Sequence, residues 1–131
     1  MHVHTQSLPQ DPRQPMTVQV LTTIGSAVVI WGGDPQEADG RHLVEWTVDE
    51  DIHWGRNTRP APASEAELRQ EGDQVIMRGL LRLTEDGAAH LRMGDWPVLF
   101  DLAPPVPDGT DESWVEISVR SQNVTLHPYR T

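Results

Sequence analysis

The sequence predicts an all-β chain, or a β-rich chain with one short helix, folded as a small antiparallel barrel. Three observations support this. Apolar and polar residues alternate over short runs, most clearly where Val115, Ile117 and Val119 interleave with Trp114, Glu116, Ser118 and Arg120. Turn residues interrupt these runs at close spacing. Only residues 64–72 carry helix signals.

The first 15 residues hold Pro9, Pro12 and Pro15 among polar neighbours, which predicts a disordered tail over 1–15 and a single barrel domain over 16–131. Residues 17–31 are rich in Val, Ile and Thr and predict one long strand, or two, with Gly25 marking a bend. Trp31-Gly32-Gly33-Asp34-Pro35 ends the run as a turn. Residues 42–48 predict the next strand, 52–54 a short extension, and 55–63, with Pro60 and Pro62, a loop. Ser64 and Glu67 have capping-box spacing and Gly72 is a stop, so a helix of about two turns is expected between them.

Residues 74–83 alternate again. Glu85-Asp86-Gly87 carries a hairpin signal, 88–93 return, Gly94-Asp95 turn, and 96–102 form a further strand. Residues 103–113 are a proline-containing loop. Residues 114–120 and 123–127 complete the set around a tight turn at Ser121-Gln122. Six to seven strands joined by short connections imply an antiparallel barrel, OB-like or sandwich-like. The bent run around Gly25 resembles the first strand of an OB-like barrel, a likeness of architecture alone.

Composition narrows the function. The chain has 131 residues and no cysteine, so disulfides and thiolate catalysis are excluded. No apolar run reaches the roughly 18 residues of a membrane span, and the first residues lack the apolar core of a signal peptide. A cytoplasmic protein is expected. Acids number 20 against 10 bases, all arginine, for a formal net charge of -10. Total lysine avoidance suggests a GC-rich, bacterial genome. A field of this sign disfavours nucleic acid and anionic lipid.

No nucleophile elbow, P-loop, dinucleotide fingerprint or His-Glu-x-x-His is present, so no catalytic residue, enzyme activity or cofactor is assigned. Asp49, Asp51 and His53 alternate and are the weak metal candidates, a solvated acidic turn being the plainer reading. Five of the seven aromatic residues are tryptophan. Trp31, Trp96 and Trp114 stand at strand ends, where a ligand or partner could meet them. Trp54 lies beside Arg56 and Arg59, the best local basic patch, and Trp and Arg are enriched at binding hot spots. The expected function is a non-enzymatic module that recognises another protein, in one version a small acidic inhibitor or immunity-type protein. The alternatives are a small-molecule barrel with a Trp-lined mouth and, against the charge, a single-strand nucleic-acid binder. Exposed edge strands leave room for a homodimer.

Overall fold

Alternation sets the strands and also sets which face of each is buried. In the computed structural model, which describes residues 2–9, 11–85, 88–94 and 96–129, twelve strands form one sheet system. They are β1 (His2–Ser7), β2 (Thr17–Thr22), β3 (Gly25–Trp31), β4 (Gly40–Val48), β5 (Ile52–His53), β6 (Thr58–Pro60), β7 (Glu67–Glu71), β8 (Gln74–Leu83), β9 (Ala88–Met93), β10 (Trp96–Ala103), β11 (Trp114–Arg120) and β12 (Val124–Pro128). The only helical pieces among the described residues are single 3₁₀ turns at Pro35–Glu37 and Ser121–Asn123. None is long and apolar enough to cross a membrane.

Pairings run β1–β2–β3–β7–β8–β9–β10–β4 and back to β1, closing an eight-strand barrel. β12 joins β3 to β4, β11 extends from β8, β6 from β11, and β5 lies along β10. The barrel class therefore holds, but the six to seven strands and the OB-like or sandwich-like form do not. The count rises because the expected tail holds β1, residues 17–31 divide into β2 and β3, loop 55–63 holds β6, the expected helix is β7, and the short β5 stands as a strand of its own. Nor is the pairing purely antiparallel. β3–β7, β3–β12, β4–β10 and β5–β10 are parallel contacts of one or two residues. They occur where the sheet closes on itself rather than through hairpins.

One core fills the interior, drawn from the inward residues of nearly every strand. Val18 and Val20 of β2, Val29 of β3, Met77 and Leu81 of β8, Leu91 of β9, Ile117 of β11 and Leu126 of β12 are all buried in it. At about 25 cal/mol for each Å² of apolar surface removed from water, this burial is the main driving force for closure.

Two expectations fail for identifiable reasons. Residues 64–72 form no helix; Leu68 pairs with Met77 across β7–β8 and is 1% exposed. A two-turn helix is marginal alone, whereas the strand buries Leu68 and aligns its neighbours' charges with β8. Residues 2–7 of the expected disordered tail form β1, paired on one edge with β2 and on the other with β4. Val3 and Thr5 face the core, and the Thr5 hydroxyl donates to Ala38 O. Residues 8–9 and 11–15 of that tail, with Met16, follow as a loop. Two turn expectations, at Asp86-Gly87 and Asp95, lie outside the described residues.

Candidate functional site

The tryptophans do not gather on one exposed face. Trp31 and Trp96 are buried, as is Trp46, which stacks on Trp96 with ring centroids 6.4 Å apart. Trp31 leans on the His42 ring at 4.8 Å and donates from Nε1 to Asp34 O at 2.9 Å. They serve as core, so a mouth lined by Trp31 and Trp96 loses its support. Trp54 and Trp114 are half-buried.

Trp54 is held by a tight turn. The N–H groups of Arg56 and Asn57 both donate to His53 O at 3.2 Å, and Gly55 N–H donates to Thr58 O at 2.8 Å. The turn needs a positive φ at Gly55, 83°, which glycine adopts readily. Because β5 runs parallel to β10, His53 lies beside Ala103. Trp54, His53 and residues 103–107, including Pro104, Pro105 and Val106, then line a shallow, mainly apolar cleft of about 290 Å³. Trp54 and Val106 also pack against the core from its edge.

The expected Trp54–Arg56–Arg59 patch divides. Arg59 is committed elsewhere, because the register aligns it with Glu116, Glu116 with Arg78, and Arg78 with Glu67. This places a row of alternating charge across β6, β11, β8 and β7. Glu116 is 1% exposed and accepts hydrogen bonds from Arg59 Nη2 at 2.9 Å, Arg69 Nη1 at 3.0 Å and Arg78 Nε at 2.9 Å. Burial alone would push its carboxyl up; the hydrogen bonds from Arg69, Arg59 and Arg78 outweigh it and hold the group down at about 2. The Arg69 guanidinium is correspondingly raised, mainly by its hydrogen bond to Glu116. Sequence reasoning missed this cluster. Its only signal was an acid among arginines on outward positions of neighbouring strands.

Arg56 has a different neighbour. It lines a cleft of about 430 Å³ with Arg120, Glu50, Asn57 and Asn123. Arg120, which sequence reasoning also missed, is brought there by the end of β11. Burial pushes the Glu50 carboxyl up, but hydrogen bonds from Asn123, the Arg120 N–H and Asn57 prevail, so it lies below its usual range.

Asp49 and Asp51 are exposed and share an acidic recess with Asp101. Among the described residues no three His, Asp or Glu side chains converge as a metal site requires, so Asp49, Asp51 and His53 are not brought together as ligands. A wider cleft, about 800 Å³, includes His2, His42, His127, Arg41 and Tyr129. Its His42 Nε2 is buried without a partner among the described residues. No Ser, Thr or Cys is among the described residues that line the cleft.

No protein-family model matches the chain, no curated protein matches its sequence, and no solved structure matches its fold.

Proposed function

We propose that this chain is a non-enzymatic binding module that recognises another protein through the face bearing Trp54, Arg56 and residues 103–107. One observation carries this reading. A half-buried tryptophan, fixed by a hydrogen-bonded turn, lines an apolar cleft beside an exposed arginine that has no acidic partner among the described residues. A rigid aromatic anchor with an adjacent guanidinium is the composition that dominates protein-contact energies.

The surrounding charge supports a basic partner. Asp49, Asp51 and Asp101 lie just upstream of the Trp54 cleft along β5 and β10. In a chain of net charge -10 they add local attraction that speeds encounter and fades with salt. A small acidic inhibitor or immunity-type protein is the specific form this favours.

Affinity capture from the source cell, with cross-linking to locate the contact, tests the proposal. The wild-type protein is expected to retain a defined partner cross-linked near Trp54. Trp54→Ala and the exposed Arg56→Ala should each weaken capture by about 2 kcal/mol, or roughly thirtyfold. Tyr129→Ala, on the far cleft, should leave capture unchanged. Capture that ignores both replacements at the Trp54 face would sink the proposal.

A further inference from the structure

Arginines 13, 59, 69, 78 and 82 each have a carboxylate within ion-pair distance. Arg41, Arg56, Arg92 and Arg120 do not, among the described residues, and of these the fold places Arg56 and Arg120 on the same cleft. Their backbones are braced. Arg56 sits on the His53–Thr58 turn described above. Arg120 ends β11, its own N–H held by Glu50 Oε1 at 3.1 Å and the following Ser121 N–H by Asp73 O at 2.9 Å.

The Glu50 and Asn57 side-chain acceptors inside the cleft are already engaged. Glu50 Oε1 also accepts from Asn123 Nδ2 at 2.8 Å, and Oε2 accepts from Asn57 Nδ2 at 3.3 Å. Asn57 Oδ1 accepts from the His53 N–H at 2.7 Å, and its Nδ2 also donates to Asp51 O at 2.8 Å. The two guanidinium groups, with five N–H donors each, remain uncommitted. The cleft therefore has donors to spare and, apart from the Asp51 carboxylate at its rim, no free charged acceptor among the described residues.

We infer that this cleft is a recognition site for a carboxylate supplied from outside the chain and gripped by Arg56 and Arg120. The inference deepens the reading of the Trp54 face as a protein contact and rests on it for the source of the carboxylate. A guanidinium fork matches a carboxylate in two parallel hydrogen bonds. Charge selects a carboxylate over a phosphate. Arg56 and Arg120 balance Glu50 and Asp51, so a carboxylate adds one negative charge to a neutral site, whereas a phosphate dianion adds two beside two fixed acids. The carboxylate comes either from a partner's chain end or from an Asp or Glu side chain.

Titration of the ¹⁵N-labelled full chain, read at the arginine Nε–H signals, tests this. The probes are N-acetylglycine for a chain end, N-acetylglutamate α-amide for a side chain, inorganic phosphate, and neutral N-acetylglycinamide. At least one carboxylate should shift the Arg56 and Arg120 signals saturably, with half-saturation on the order of a millimolar, and whichever acts more strongly identifies the source. Phosphate should act more weakly and the amide not at all. Arg56→Gln and Arg120→Gln should each weaken binding about tenfold. Arg92→Gln, exposed on β9, should not. Asp51→Asn should tighten binding by removing the competing carboxylate, a gain that a merely structural role would not produce. Absence of saturation by either carboxylate up to about 50 mM, tighter binding of phosphate, or saturable shifts of the Asn57 and Ser121 backbone amides that persist in the Arg56→Gln/Arg120→Gln double variant would overturn the inference. If Trp54→Ala abolishes partner capture while no carboxylate binds, the contact face stands and this site falls. Carboxylate binding with capture indifferent to Trp54 would show the reverse.

Discussion

Glu116 is the buried charge on which the outer face of β6, β11, β8 and β7 depends. Its three arginines differ in exposure, the Arg78 side chain at 13%, Arg69 at 28% and Arg59 at 60%, so Arg78 and Arg69 matter more than Arg59. Removing one partner of a buried charged cluster leaves the others unpaired, and Glu116→Gln should destabilise the fold by about 3 kcal/mol. The pH dependence has a definite sign. The folded-state value of about 2 lies below the ordinary 4.5, so the stabilisation is fully present above pH 4.5 and is lost as pH falls towards 2. At about 1.4 kcal/mol per tenfold change in proton affinity, that loss is on the order of 3 kcal/mol. Urea unfolding of wild type and Glu116→Gln across this window should show the gap closing as acid is added. A constant gap would mean that the charge of Glu116 is not what matters.

The β2–β3 hairpin and β7 share one backbone pairing, beside a side-chain contact in which Gln70 Oε1 accepts from the Val28 N–H at 2.9 Å. Gly25 pairs with Leu68, and the Leu68 N–H donates to Ile24 O at 3.0 Å. A Cβ at Gly25 would sit 1.8 Å from Leu68 O, and its φ of 135° is a conformation L side chains rarely adopt. Gly25→Ala should therefore cost about 3 kcal/mol or more and loosen this closure first. Hydrogen exchange at the Leu68 amide is the measurement; unchanged protection would show that the closure does not depend on this contact. Gly25 stood out in the sequence as a break in a β-branched run, and its neighbours did divide into β2 and β3. That the break is also where a distant strand touches was not legible, because Leu68 lies 43 positions away. β7 carries the local signature of a helix for a related reason. Ser64 and Glu67 fit a helix cap locally, while the burial of Leu68 and the ion pair of Glu67 with Arg78, Nη2 to Oε2 at 3.1 Å, are rewards that only β8 provides.

The molecule as a whole closes through its first strand. β1 carries backbone pairing to β2 on one side and β4 on the other, and Val3 is 3% exposed. Deleting residues 2–7 should open the barrel between β2 and β4, exposing Val18, Val20 and Val44. Cooperative unfolding should weaken and binding of a hydrophobic dye should rise. Unaltered cooperativity would mean the remaining strands close without β1. A β-rich chain, the positions of most strands, the alternating faces of β8, β9, β11 and β12, and the excess of acids could be read from the residues. These follow from periods of two and from composition, which are local or additive properties. Only the folded chain shows that an eight-strand barrel closes through β1 and β7, that Trp31 and Trp96 belong to the core, and that Arg59 turns to Glu116 while Arg56 shares a cleft with Arg120. Each of these depends on strand register and on pairing between distant segments, and a one-residue change of register would send the same side chains to the opposite face.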